Sequence, residues 1–130
     1  MNNKEYIELI QKGDFIINRL EQWVDNKKAY LVTYEELQNN PLKVLTDISQ
    51  YLKIKCSAKY RQDIIDKYSF EKQSGRKKGQ ENRQNFYRKG IVGDWKNYFD
   101  EQCISSFKND NQGRWNKLLI KMNYEQTQDW

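Results

Sequence analysis

One short run limits what this chain can fold into. Ala29-Tyr30-Leu31-Val32-Thr33 is the only convincing strand in 130 residues. Its unbroken apolar character suits a strand covered on both faces, as in a parallel sheet flanked by helices. A single strand cannot make a sheet, because its rows of N–H and C=O groups have no neighbour to pair with. The chain therefore reads as part of an α/β protein, itself mostly α-helical with one short strand near 29–33.

Helical signals fill most of what remains. Asn2 or Asn3 caps a segment to about Lys12, with Tyr6, Leu9 and Ile10 on one face. Asp14 caps a second to about Asp25, carrying Ile16, Ile17, Leu20, Trp23 and Val24 at helical spacing. Pro41 occupies the first turn of a helix whose apolar stripe is Leu42, Leu45, Ile48 and Leu52. Ser57 caps a helix to about Lys67, with Tyr60, Ile64 and Ile65 facing inward, and Asp100 caps another through about Asn109. Residues 115–120 form a last short helix. Residues 1–122 read as one domain portion with a mobile loop at about 73–87, and 123–130 as a frayed tail.

Hydrophobic residues make up 37% of the chain, which is low. Leu, Ile, Val and Phe nevertheless exceed the level at which disorder becomes the default, so a moderate core is expected. No apolar run approaches membrane-spanning length, and the N-terminus lacks a signal-peptide pattern. Cys56 and Cys103 stand apart and follow no metal-ligand spacing. They read as inert buried thiols, and a reducing, cytoplasmic setting without membrane or metal is the expectation.

Charge is concentrated. The window Glu71–Gly90 holds seven basic and two acidic residues, the whole of the net +5; elsewhere sixteen basic residues balance sixteen acidic ones. An excess confined to one stretch points to a local anion site, not to an extended nucleic-acid track. Within it, Gly75-Arg76-Lys77-Lys78-Gly79 has the flavour of a phosphate loop. No strand leads into it and no Gly-Lys-Ser/Thr follows, so it reads as a solvated charge run.

The run Arg88-Lys89-Gly90-Ile91-Val92-Gly93-Asp94-Trp95-Lys96-Asn97 is an anion grip in outline. Arg88 offers a planar fork of donors and Lys89 a mobile point charge. Gly90 lets the main chain approach and present its N–H to an oxygen. Asp94 caps the turn that begins at Trp95.

These ten residues resemble the C-terminal signature of the cytosolic-type sulfotransferases, which use 3′-phosphoadenosine 5′-phosphosulfate (PAPS) and have a P-loop NTPase-like α/β fold. Further matches lie in order along the chain. Thr33-Tyr34-Glu35-Glu36-Leu37 is similar to the family's Tyr-Glu-acidic-Leu turn, Asn39-Asn40-Pro41 to its Asn-Pro helix start, and Ser69-Phe70 to its Ser-Phe step. The resemblance implies that Arg88, Lys89 and Gly90 hold the 3′-phosphate, that Ser69 and Phe70 lie against the adenine, and that Tyr34 contacts the nucleotide. It implies a sulfuryl donor (PAPS, product adenosine 3′,5′-bisphosphate), an acceptor alcohol or amine, and no metal. The family's Thr-Val dimer signature is replaced here by Asp100-Glu101-Gln102-Cys103.

Sulfuryl transfer is an in-line displacement that needs charge stabilisation at the bridging oxygen and a base for the acceptor's proton. In the family a Lys-bearing N-terminal phosphate loop and usually a His do this. The present chain has no His and no such loop, so no catalytic residue is assigned to it. It corresponds to the C-terminal part of a sulfotransferase, inactive alone, or to half of an enzyme completed by a second polypeptide carrying the N-terminal half. A non-catalytic basic helical module that binds nucleotides or nucleic acid is the alternative.

Overall fold

The computed structural model describes residues 2–122 and 124. Among them are eight α-helices: α1 (Asn3–Gln11), α2 (Asp14–Val24), α3 (Tyr34–Asn39), α4 (Pro41–Tyr51), α5 (Ala58–Lys67), α6 (Phe70–Ser74), α7 (Glu101–Asn109) and α8 (Arg114–Lys121). Short 3-10 turns occur at Asp94–Asn97 and Asp110–Gly113. The chain divides into two compact units, Met1–Leu31 with Asp94–Trp130, and Val32–Gly93. Of the expected frayed tail, residues 123 and 125–130 lie outside the described residues.

The strand expected at 29–33 is not formed; no strand occurs among the described residues. Strand structure needs a neighbour to complete its hydrogen-bond ladder, and none is offered here. Tyr30 and Leu31 are instead exposed.

In the first unit α7 packs against α1 and α8, and α2 packs against α8. Ile10, Ile17, Cys103 and Leu118 are the buried apolar residues. Complete burial of a side chain the size of Ile17 contributes about 1.5–3 kcal/mol. Asn2 and Glu5 form a reciprocal capping box at the start of α1, and Asp100 accepts the Cys103 N–H at 2.9 Å to start α7. The far end of α1 is closed from another direction. The Ile10 carbonyl accepts the Trp115 indole N–H at 3.0 Å and the Asn111 amide at 2.8 Å. These donors satisfy an acceptor that helix ends otherwise leave open. The Gly13 break makes this possible, since a methyl built there would lie 2.4 Å from the Trp115 ring.

Arg114 ties α8 to α2. It meets Glu21 at 3.0 and 2.6 Å, Asn18 at 2.5 Å and Asp14 at 3.3 Å. The outer stripe of α2 (Ile16, Leu20 and Trp23) remains exposed.

The second unit is organised by caps. Thr33 Oγ1 accepts the Glu36 N–H at 3.1 Å, and the Glu36 carboxylate accepts the Thr33 N–H at 3.1 Å. Glu36 is thereby a capping residue of α3. Pro41 stands in the first turn of α4, whose Val44 is buried while Leu45 and Ile48 are half-buried. Ser57 caps α5, which packs against α4.

Candidate functional site

The site is built within the second unit, beginning at Ser69. Its hydroxyl accepts the Lys72 N–H at 3.4 Å and donates to the Asp66 carbonyl at 3.0 Å, so it starts α6 and joins it to the end of α5. Helix α6 covers the first part of the loop expected at 73–87 and ends where Gly75 turns to φ 68°. Phe70 is its first residue and is half-buried.

Gly90 comes to rest on that ring. It has φ 68°, and a methyl built on it would lie 2.3 Å from Phe70 Cδ2 and 2.6 Å from Cγ. Only a residue without a side chain fits, for reasons of both dihedral and space. The basic triplet and the Ser-Phe step, twenty residues apart in sequence, thus share one location.

Backbone bonds hold the intervening chain in place. The Gly79 N–H donates to the Lys89 carbonyl at 2.9 Å, and the Asn82 N–H to the Arg88 carbonyl at 2.9 Å. Arg76 departs from the expected solvated run. Its guanidinium donates to the carbonyls of Gln80 and Tyr87, and to that of Arg88 at 3.1 Å. It also stands 5.5 Å from the centre of the Phe70 ring. An Arg between two glycines was the available sequence signal, but without knowledge of nearby carbonyls it could not be told from its lysine neighbours.

Arg88 lies 3.4 Å from the Glu81 carboxylate, in a partly exposed pair. Such a partly exposed pair contributes little to stability. Lys89 is half-buried.

Ser69 and Phe70 also border a pocket of about 320 Å³, walled by Leu37, Pro41, Leu45 and Ile64, with Gln38 and Lys78 among its polar members. Lys78 donates to Gln38 at 2.7 Å. Tyr34 is the first residue of α3, one turn before Leu37, and is not among the lining side chains. Burial, with the Glu35 charge behind it, raises its phenol pKa above the usual value. The structure therefore brings Phe70, Ser69 and Gly90 together, delivers Arg88 and Lys89 on the same strand of chain, and leaves Tyr34 on the neighbouring helix. Asp94 and Trp95 belong to the first unit, where Asp94 begins a 3-10 turn and Trp95 meets Phe99 edge-on at 6.0 Å.

The two thiols differ from one another. Cys103 is fully buried, and desolvation raises its pKa. Cys56, expected to be buried and inert, is half-exposed, 3.3 Å from Ser49 Oγ and 3.4 Å from an Arg61 nitrogen. The Ser49 hydrogen bond, then that from Arg61, lowers its pKa. Both cysteines are free. Among the described residues no acidic, His or Cys cluster could hold a metal ion, and no helix is long and apolar enough to cross a membrane.

The geometry on the page is thus an aromatic ring packed against a glycine that follows two cations in the chain. The family model for the sulfotransferase domain matches residues 16–127, and the chain belongs to that family. Sulfotransferase 1B1 of Canis lupus familiaris is 26% identical over 113 residues, covering 74% of this chain and 38% of the relative. The chain thus spans well under half the length of the curated relative it matches. No solved structure matches it.

Proposed function

We propose that the second unit holds the 3′-phosphate and adenine of the sulfuryl donor PAPS. The single observation that carries this reading is the seating of Gly90 on Phe70. It draws the basic triplet to an aromatic ring, as a nucleotide with a phosphate near its base requires. Arg88 supplies a two-pronged guanidinium, Lys89 an ammonium and Gly90 a bare main-chain N–H to the 3′-phosphate. Phe70 offers ring surface to the purine. The Ser69 hydrogen is given to Asp66, so Ser69 presents a lone pair and suits a donor such as an exocyclic amine. Tyr34 contacts the nucleotide through its phenol hydroxyl.

The parent reaction is transfer of the sulfuryl group from PAPS to an alcohol or amine. The region of the family's domain that this chain does not span supplies the rest of the machinery, on the same or a second polypeptide. With no His in the sequence, the 130 residues transfer no sulfuryl group on their own. A cytoplasmic location fits this donor chemistry.

Two assays test the proposal. Calorimetric titration should give tighter binding of adenosine 3′,5′-bisphosphate than of adenosine 5′-monophosphate, and equal affinities would overturn the 3′-phosphate site. Radiolabelled sulfuryl transfer to alcohol or amine acceptors should stay at background; turnover by the purified chain would refute the claim of inactivity.

A further inference from the structure

From the contacts of Arg76 we infer that this residue positions the phosphate grip: it holds the main chain of 87–90 against the Phe70 platform without itself needing to touch the nucleotide. The inference rests on the nucleotide-site reading above for its functional consequence, but its structural content stands separately.

Three features single out Arg76 among the seven basic residues of this window. Its guanidinium reaches three carbonyls from two separated stretches of chain, those of Gln80, Tyr87 and Arg88. The Arg88 carbonyl is thereby doubly engaged, taking the Asn82 N–H at 2.9 Å as well as Arg76 at 3.1 Å. The same guanidinium stands 5.5 Å from the Phe70 ring centre, on the ring against which Gly90 packs. One planar cation therefore touches the platform and the strand of chain laid on it.

The chemistry demands Arg here. Five N–H donors in a rigid plane can serve several carbonyls while lying over an aromatic face. A Lys ammonium at the end of a flexible stem can donate to those oxygens only one or two at a time, and its charge is not spread in a plane. Binding of a 3′-phosphate depends on Arg88, Lys89 and the Gly90 N–H facing one point. A shift of the 87–90 chain of even an ångström would disperse them.

The test uses the full chain with Arg76→Ala and Arg76→Lys, read in two independent ways. Hydrogen exchange of the Gly79 and Asn82 amides reports the two backbone bonds to residues 89 and 88. Exchange should quicken about tenfold or more in Arg76→Ala, and by less in Arg76→Lys, while amides of α4 and α5 hold their protection. Titration should show Arg76→Ala weakening adenosine 3′,5′-bisphosphate about fivefold with little change for the 5′-monophosphate, and Arg76→Lys falling between. Unchanged exchange at Gly79 and Asn82 would overturn the positioning role whatever the nucleotide does. Faster exchange with an unaltered bisphosphate preference would overturn its bearing on the phosphate. A wild-type chain that binds both nucleotides equally would instead defeat the nucleotide-site reading, and the exchange data would still decide the clamp.

Discussion

Gly90 and Phe70 are in van der Waals contact so close that no side chain could stand between them: a methyl on Gly90 would sit 2.3 Å from the ring. The contact involves the root of the ring as well as its edge, so a small rotation of Phe70 cannot relieve it. Gly90→Ala should therefore cost more than its left-handed dihedral alone, which is about 1–2 kcal/mol. Gly75 supplies the control, since it has the same φ of 68° and open space around it. Urea denaturation should show Gly90→Ala more destabilising than Gly75→Ala, with Phe70→Ala removing most of the difference. Equal costs for the two glycine variants would contradict the packing.

The Glu81 carboxylate, 3.4 Å from Arg88 and 3.4 Å from Arg83, competes with any incoming anion. Glu81→Gln should tighten adenosine 3′,5′-bisphosphate about two- to fivefold at low salt, with the gain shrinking as salt is added. Weaker binding in this variant would mean that Glu81 holds Arg88 in a competent position instead of competing for it.

Acid should loosen the first unit. The Arg114 hydrogen bond lowers the Glu21 pKa below its ordinary 4.5, and the Ser106 and Gln11 hydrogen bonds lower that of Asp110 below 3.8. A carboxyl lowered in the folded state contributes its stability in full above the ordinary value. The contribution is lost as pH falls through the lowered one. Thermal midpoints measured from pH about 6 down to about 3 should therefore fall mainly below the ordinary carboxylate range. Arg114→Met should flatten part of that fall. A wild-type profile with no decline below pH about 4 would contradict the assignment.

The two thiols should react very differently. The hydrogen bond shared with Ser49, and then that from Arg61, lower the Cys56 pKa, and burial raises that of Cys103. Iodoacetamide should modify Cys56 in the native protein, with a pH–rate midpoint below the ordinary 9.0, and leave Cys103 intact until unfolding. Ser49→Ala should move the Cys56 midpoint upward. Preferential labelling of Cys103 would contradict the packing of α1 against α7.

Much of the fold was legible because its signals are local. Asn2, Ser57 and Asp100 each cap a helix through hydrogen bonds made within three residues. The 29–33 run predicts a strand that does not form, because its β character expresses burial between layers and strand structure depends on a partner that local sequence cannot supply. Arg88, Lys89 and Gly90 stood out by composition, and Phe70 by its place in the family order. Arg76 did not, because its role lies in carbonyls four to twelve residues away that only the folded loop brings to it. Residue type predicts a buried Cys56 because it reflects average burial, whereas the actual setting depends on how α4 and α5 meet around Ser49 and Arg61.

The most direct measurement is the ratio of affinities for adenosine 3′,5′-bisphosphate and adenosine 5′-monophosphate, determined by calorimetry in the wild-type chain and in Arg88→Ala. A ratio well above unity that falls by about tenfold or more in Arg88→Ala is the predicted result, since a charged hydrogen-bond pair to the phosphate contributes ~1.5–3 kcal/mol. A ratio near unity in the wild type, or one that Arg88→Ala leaves unchanged, would contradict a 3′-phosphate site at Arg88, Lys89 and Gly90.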